Sequence, residues 1–297
     1  MPQPALCSLP FALAAGMSVL ASQGCDVTIK DGDVSVNQLH GRARQEWTRK
    51  YPLTPGGRIE IANTNGPIDV VAGAAGTVEV AAVLDARSMS DEHSKELLSE
   101  SKIEEKVTPG HIRIATVRSD GSSGGPGSRR HGRLQVAYKV TVPADARVEM
   151  TGNNGTLTAK GLRGHTKAMV ANGAVELSGL RGSVDAAAVN GSITVKMAEV
   201  TAPVRLESTN GRINLEIPKD SKATLNVRSV NGGINVTGLT TQDASGRRIR
   251  NLESALNGGG PEIDVRVTNG RVTITGVDSP SWTADPPPFS ADRPAPP

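Results

Sequence analysis

The stretch that decides the fold is residues 189–217, "VNGSITVKMAEVTAPVRLESTNGRINLEI". It contains Asn-Gly twice, 20 residues apart, and each copy is followed by a short run of alternating apolar and polar residues. Asn-Gly between alternating segments is the strongest local signal for a two-residue β-hairpin. The same pattern also suits the corner of a chain that winds into stacked coils, so the choice depends on the rest of the sequence.

Asn-Gly recurs along the chain together with the residues around it. In seven copies the positions three and five residues after the Asn are apolar, and nearly all copies are also apolar six and four residues before it. From Asn154 to Asn231 the copies are separated by 18, 18, 20 and 21 residues, which indicates one repeated supersecondary unit. An eighth copy, at Asn257, lacks the downstream pattern. We assign the seven regular copies as structural turns: Asn65, Gly66, Asn154, Gly155, Asn172, Gly173, Asn190, Gly191, Asn210, Gly211, Asn231, Gly232, Asn269 and Gly270.

Two observations favour a winding coil over hairpins. A hairpin would pair the residue two before the Asn with the large apolar residue three after it, but this position holds Asn63, Gly152, Ser208 and Ser229 in four of the seven copies. An antiparallel sheet built from all these strands would also be unusually wide and would need a second layer to cover its apolar face. The sequence therefore predicts an all-β, single-chain β-solenoid with one short helical insertion; a meander or sandwich is the alternative. We expect the Asn-Gly corner to require positive φ.

The composition agrees with stacked short strands. The chain has 297 residues, of which 37% are hydrophobic and only 2% aromatic, with 33 glycines. A core without large rings must be thin and made of Val, Ile, Leu and Ala. The net charge of +3 is too small, and the charges too mixed along the chain, to indicate a nucleic-acid partner.

The amino terminus has the features of an export signal. Residues 1–24 carry no charge, and residues 9–21 form an apolar run that is too short to span a bilayer but suits a signal peptide. The following "ASQGC" resembles a lipobox with Cys25 as the lipidated residue, although Ser22 stands where that pattern has Leu. The alternative is a secreted protein with a free thiol at Cys25.

The chain divides into four parts on this interpretation. Residues 1–24 are the signal peptide, 25–46 a linker, 47–277 the β-solenoid domain and 278–297 a disordered Pro-rich tail. Residues 90–106, with apolar residues at helical spacing, predict one amphipathic helix with Ser90 or Asp91 as its N-cap. Residues 119–133 are rich in Gly and Ser and predict a surface loop.

The repeat units "GTLTAKGLRGHTKAMVANGAVELSGLRGSVDAAAVNGSITV" and the closing "NGGGPEIDVRVTNGRVTITG" resemble the bacterial putative-adhesin family of unknown function, a β-helix related to adhesin-head domains. The helical insertion and the Gly-rich run before the last strand fit its layout, and the resemblance covers residues 47–277. It implies a right-handed β-helix-like fold in an exported or envelope-associated protein. It implies no established activity and supplies no catalytic residues.

No catalytic, metal-binding or cofactor-binding arrangement emerges from the sequence. Glycoside hydrolysis needs two facing carboxylates, but the candidates are spread over outward strand positions among Lys, Arg and Thr. They are Asp69, Glu176, Asp185, Glu207 and Glu216. The five histidines are scattered without metal-ligand spacing. Two basic clusters could contact anionic lipid or polysaccharide, with a solubilising role as the default for the first: Arg129, Arg130, His131 and Arg133; and Arg247, Arg248 and Arg250.

These observations predict a non-enzymatic, exported cell-envelope protein that binds or scaffolds an unknown envelope protein or polysaccharide. It would lie in the periplasm, at the outer membrane or on the cell surface, with membrane attachment through a lipid on Cys25 as one form. Two alternatives remain open: a carbohydrate-active enzyme on the same fold, and an envelope stress or signalling component that binds another protein. We expect no nucleic-acid partner and no cofactor.

Overall fold

The computed structural model describes residues 25–30, 33–38, 41–118, 132–240 and 250–278. The predicted signal peptide 1–24, residues 119–131 of the predicted loop and the predicted tail beyond residue 278 lie outside them. The first two strands, β1 (Cys25–Lys30) and β2 (Asp33–Gln38), pair only with each other among these residues. All other described strands belong to one 14-stranded sheet.

The sheet contains a repetitive part and a more irregular amino-terminal part. The irregular part consists of β3 (Gly41–Pro52), β4 (Arg58–Asn65), β5 (Ile68–Gly73), β6 (Thr77–Ser88), α1 (Asp91–Ser99), β7 (Ser101–Thr108), β8 (His111–Arg118) and β9 (Gly132–Pro143). The repetitive part consists of β10 (Arg147–Lys160), β11 (Thr166–Leu180), β12 (Val184–Met197), β13 (Val204–Pro218), β14 (Ala223–Thr237), β15 (Asn251–Leu256) and β16 (Glu262–Val277).

The long strands of the repetitive part are rungs, each with a first arm before its Asn-Gly and a second arm after it. Neighbouring rungs are parallel and in register, so that Asn154 lies beside Asn172 and Asn172 beside Asn190. The second arms pair in the same way, with Val175 beside Ile193. β4 and β5 are the two arms of the first rung and both pair with β10. The prediction of an all-β solenoid with one helical insertion is therefore confirmed.

Alternation along each arm separates an apolar inside from a polar outside. In β12 the inward side chains of Val184, Ile193 and Val195 are buried, while the outward positions between them are at least partly exposed. Rungs that repeat this pattern stack their Ile, Val and Leu side chains into a narrow continuous core. Tyr138 is the largest fully buried side chain, and its hydroxyl lies 2.7 Å from that of Thr116. The core is thus built mainly from medium-sized aliphatic residues, as the composition predicts.

The stack does not follow chain order at its carboxyl-terminal end. β16 lies between β13 and β14 and is parallel to both, so that Asn269 is flanked by Asn210 and Asn231. β15 closes the first-arm side by pairing antiparallel with β14. A coil that wound regularly would stack its units in chain order, and these last rungs depart from that order. The strand beside β13 in the sheet is therefore not β14, which follows it in the chain, but β16.

The amino-terminal end of the stack extends each arm separately. On the first-arm side β8 adds parallel to β4, and β7 adds antiparallel to β8. On the second-arm side β9 adds parallel to β5, followed by antiparallel β6 and β3. The predicted linker over 25–46 needs correction, because β1 and β2 form a hairpin there and β3 already begins at Gly41. Pairing with β6 satisfies the backbone groups of β3, which a linker would leave to water.

The predicted helix over 90–106 is shorter than expected. Ser90 is its N-cap and accepts a hydrogen bond from the backbone N–H of His93 (3.3 Å), while Leu97 and Leu98 are buried. The helix ends at Ser99, and Ser101–Thr108 forms β7 instead. A turn at residues 109–110 connects β7 to β8, and the two strands pair antiparallel. If the helix continued through residues 101–108, the backbone groups on this edge of β8 would have no strand to pair with.

The corner glycines recur because the backbones of neighbouring rungs approach closely there. A Cβ on Gly191 would overlap the carbonyl oxygen of Gly173, and one on Gly173 would overlap that of Gly155. Five of the seven glycines also have φ between 119° and 155°. The asparagines do not: the only described non-glycine residue with positive φ is Asn257. Our expectation that the corner requires positive φ is therefore correct for five of the seven glycines and for none of the corner asparagines.

The corner asparagines recur because their side chains form a ladder. Each Asn after Asn65 donates a hydrogen bond from its side-chain amide nitrogen to the amide oxygen of the Asn before it in the stack, at distances of 2.8–3.3 Å. The ladder runs through all seven corners in the order Asn65, Asn154, Asn172, Asn190, Asn210, Asn269 and Asn231. It connects every rung along the outside of the corner.

Replacing Gly191 with Ala should destabilise the protein by about 3 kcal/mol, because the new methyl group would force two rungs apart. Urea unfolding of the purified protein measures this. Gly233→Ala is the matched control, since a Cβ there meets no atom within 4 Å, and it should change stability by less than about 0.5 kcal/mol. Equal effects of the two substitutions would contradict the close-approach explanation.

Replacing Asn190 with Ala should cost about 1 kcal/mol, because this residue takes part in two ladder hydrogen bonds. Asn231 lies at the end of the ladder and donates one, so Asn231→Ala should cost roughly half as much. The comparison uses the free energy of unfolding of both variants. A loss at Asn231 as large as that at Asn190 would show that the ladder bonds do not determine the difference.

Candidate functional site

The outer face of the first arms carries a network of ion pairs near the amino-terminal end of the stack. Arg58 contacts Glu60 (2.9 Å) and Glu149. Lys167 lies 3.5 Å from Glu149, and His111 lies 3.1 Å from Glu60. These residues occupy neighbouring strands, so side chains of opposite charge stack beside one another. The charged groups of this network are therefore paired with one another, so the network offers little to a charged ligand.

Two carboxylates of the outer surface have a pKa below its ordinary value, Glu149 in this network and Asp85 on β6. Burial raises the pKa of Glu149, but the hydrogen bond from Arg58 and the charge of Lys167 outweigh burial and hold the pKa below its ordinary value. The pKa of Asp85 is lowered in the same manner by Arg42 and Arg87, against the effect of burial. Both carboxylates therefore remain charged and paired at neutral pH, as structural ion pairs do.

The outer face of the second arms differs at the carboxyl-terminal end of the stack. Here β13, β16 and β14 border a groove of about 1390 Å³. We call this surface the arginine groove, because three arginines lie on it. Its lining residues are Gly211, Arg212, Asn214, Asn231, Gly232, Gly233, Ile234, Asn235, Arg250, Asn269, Gly270, Arg271 and Thr273.

Each arginine reaches the groove from a different element. Arg212 and Arg271 occupy the second position after their corner Asn, on β13 and β16, and are direct cross-strand neighbours. Arg250 precedes β15 and is fixed through its backbone, whose carbonyl accepts a hydrogen bond from Ser229 N–H (2.8 Å). All three side chains are exposed. None has an acidic residue within 4 Å among the described residues, so the groove concentrates uncompensated positive charge.

The structure places the residues singled out in the sequence at separate locations. Cys25 begins β1, apart from the main sheet. The seven regular Asn-Gly pairs all lie at one corner of the rungs. In the basic clusters, Arg133 is exposed on β9 and Arg250 lines the arginine groove, while Arg129, Arg130, His131, Arg247 and Arg248 lie outside the described residues.

The carboxylates considered for an enzyme are spread over four strands, with Asp69 on β5, Glu176 on β11, Asp185 on β12, and Glu207 and Glu216 on the two arms of β13. Two of them pair with a basic neighbour: Glu216 with Lys196 at 3.1 Å and Glu207 with Arg205 at 3.9 Å. Among the described residues, no group of three or more His, Cys, Asp or Glu side chains could hold a metal ion. The described part of the chain also contains no helix with the length and hydropathy needed to cross a bilayer.

Sequence reasoning missed Arg212 and Arg271. Their common position relative to the corner Asn is visible in the sequence, but consecutive stacking would place Arg212 beside Gly233 rather than beside Arg271. Only the insertion of β16 between β13 and β14 makes the two arginines neighbours. The site therefore depends on the one part of the topology that the repeat pattern does not reveal.

A family model matches most of the chain, and several solved structures are similar to it. The family model described as Toastrack DUF4097 matches residues 17–275, and no curated protein matches the chain. A putative cell adhesion protein from Clostridium sporogenes is similar at 9% identity and a TM-score of 0.43, covering 78% of this chain and 100% of its own. A putative adhesin from Bacteroides fragilis is similar at 14% identity and a TM-score of 0.36, and the match covers 78% of this chain and 97% of that protein. A putative lipid binding protein from Parabacteroides distasonis is similar at 11% identity and a TM-score of 0.25, and the match covers 77% of this chain and 96% of that protein.

Replacing Glu149 with Gln should make stability less sensitive to acid. A carboxylate whose pKa is lowered on folding stabilises the folded state above its unfolded pKa, and this contribution is lost as the pH falls through the folded pKa. The wild type should therefore lose more free energy of unfolding than Glu149→Gln between roughly pH 7 and pH 3. The matched control is Glu176→Gln, since Glu176 is exposed and has no ion pair among the described residues. The control should follow the wild type; a Glu149→Gln variant that does so too would contradict the assigned ion pairs.

Proposed function

Since the chain belongs to the Toastrack family DUF4097, we propose that it is a non-enzymatic binding protein of the bacterial cell envelope that presents the outer faces of its β-solenoid to a ligand. The observation that supports this proposal most directly is the register of the rungs. Equivalent outward residues of neighbouring rungs are cross-strand partners, as Thr194 is of Asn214 and Asn214 of Thr273. Rows of polar side chains therefore repeat at the strand spacing of about 4.8 Å on a fixed scaffold.

The scaffold is well suited to recognition of an extended molecule. Each rung contacts its neighbours through two hydrogen-bonded arms, and the inward residues of the central rungs are almost fully buried. A surface on such a scaffold changes its conformation little when a ligand binds. Less binding free energy is then lost to the ordering of protein segments than at a flexible surface. The two faces differ in chemistry, since the first arms carry internally paired charges and the carboxyl-terminal end of the second arms carries the arginine groove.

The proposal includes export. Residues 1–24 would serve as the signal peptide and Cys25 as the first residue of the mature chain, carrying a lipid that holds the protein at a membrane surface. A single acyl chain gives only marginal membrane binding, whereas several anchor more stably. The solenoid would then face the envelope space, where polysaccharides and other envelope proteins are the available ligands.

Cell fractionation of the full-length chain in a bacterial host tests this proposal. We expect wild-type protein in the membrane fraction of the envelope and the Cys25→Ala variant in the soluble fraction or as unprocessed precursor. Cys7→Ala is the matched control, because Cys7 lies within the predicted signal peptide, and it should behave like wild type. Wild-type protein retained in the cytoplasm would contradict export, and release of soluble sugar fragments from isolated envelopes by the purified protein would contradict a non-enzymatic role.

A further inference from the structure

We propose that the arginine groove binds an acidic polysaccharide, with Arg212 and Arg271 holding sugar carboxylates and the surrounding amides and hydroxyls holding sugar hydroxyl groups. This inference deepens the proposed function and rests on it, because it names the ligand class of the binding surface. It is carried by the arrangement of charge, by the shape and chemistry of the groove, and by the end of the asparagine ladder.

Arg212 and Arg271 differ from the other cross-strand pairs of basic residues in the described sheet, because neither arginine has an acidic partner. In the other described cases where two basic residues are cross-strand partners, at least one of them has an acidic residue within 4 Å. Arg42 and Arg87 share Asp85, and Arg266 next to Arg228 pairs with Asp264 at 2.8 Å. Neither Arg212 nor Arg271 has such a partner among the described residues, so their charges face each other uncompensated.

This arrangement has an energetic cost that a bound anion would remove. Like charges directly opposite on neighbouring strands destabilise the folded state. A carboxylate between the two guanidinium groups would be attracted to both, and guanidinium presents its donors in a planar fork that matches a carboxylate in two-point contact. Arg250 adds a third positive group at the same groove. The groove is therefore built to receive negative charge rather than to minimise repulsion within the free protein.

The remaining lining matches sugar hydroxyl groups. Asn214, Asn235 and Thr273 are the outward residues two positions further along the three rungs. Their amide and hydroxyl groups can both donate and accept hydrogen bonds, as sugar hydroxyls do. Ile234 is the one large apolar residue of the lining, which leaves little surface for an acyl chain. The chain has only 2% aromatic residues, so recognition relies on hydrogen bonds and charge rather than on stacking.

The asparagine ladder ends in the groove. Asn231 donates its amide hydrogen to Asn269, while its own Oδ1 has no hydrogen-bond partner among the described residues. The aligned amides polarise one another, which strengthens the terminal oxygen as an acceptor. An exposed acceptor beside three cations would receive a sugar hydroxyl while a neighbouring carboxylate contacts the arginines. The three rungs span about 10 Å across the groove, enough for more than one sugar unit.

Binding of polygalacturonate to the purified mature chain, measured by calorimetry, tests this inference. We expect binding to polygalacturonate and none to neutral dextran. The double variant Arg212→Gln/Arg271→Gln should bind at least about tenfold more weakly, a difference of about 1.4 kcal/mol. The matched control is Arg163→Gln/Arg181→Gln, which removes the same charge from two stacked coils at the other corner, where Arg181 N–H donates to Leu162 C=O. This control should retain binding within about twofold.

Three outcomes would overturn the inference: no binding of polygalacturonate, equal weakening by both double variants, or equally tight binding of single-stranded DNA as a polyanion without sugar acids. The last two would indicate general attraction by net charge. Failure of the proposed function is distinguishable, because it would appear as cytoplasmic retention or as cleavage of envelope polysaccharide, independently of this titration. Circular dichroism of each variant establishes that the fold is intact, and Arg212→Lys should bind more weakly than wild type because it keeps the charge but loses the fork.

Discussion

Everything in this structure depends on how closely neighbouring rungs approach at the Asn-Gly corner. There the glycine of one rung lies against the carbonyl oxygen of the glycine before it, leaving no room for a side chain. That contact sets both arms of adjacent rungs into a common register, so inward residues stack on inward residues and outward residues on outward ones. The core, the asparagine ladder and the rows of surface side chains all follow from this one steric condition.

The two faces of the solenoid use that register for different purposes. On the first arms it places acids beside bases and produces the network around Arg58 and Glu149. On the second arms near the carboxyl-terminal end, it places Arg212 beside Arg271 with no acid among their described neighbours. The same scaffold thus supplies a stabilising face and a face suited to a charged ligand, because the outward residues can vary without affecting the core.

The repeat unit, the corner and the inward pattern could be predicted from sequence because they depend on residues close together in the chain. The alternation around Asn190 and Asn210 is local, and so is the N-cap at Ser90. The end of the helix at Ser99 could not be predicted, since β7 forms by pairing with β8. The start of the sheet at Gly41 likewise depends on the distant strand β6. The arginine groove could not be predicted either, because it also depends on pairing between distant segments. Its two central residues are 59 positions apart in the sequence (212 and 271) and become neighbours only because β16 pairs with β13.

The position of β16 also gives the molecule a fixed order of assembly. β14 and β15 are synthesised before β16 but join the stack only through it, because β14 pairs with β16 and β15, and not with β13, among the described strands. β14 and β15 therefore reach the positions that they occupy in the folded sheet only when residues 262–277 have paired with β13. Completion of the solenoid depends on β16, which pairs with a strand about 59 residues earlier in the chain, and contacts across long sequence separations of this kind form slowly. Because β16 is inserted between two rungs that precede it in the chain, the carboxyl-terminal rungs can take their final order only after this strand has formed.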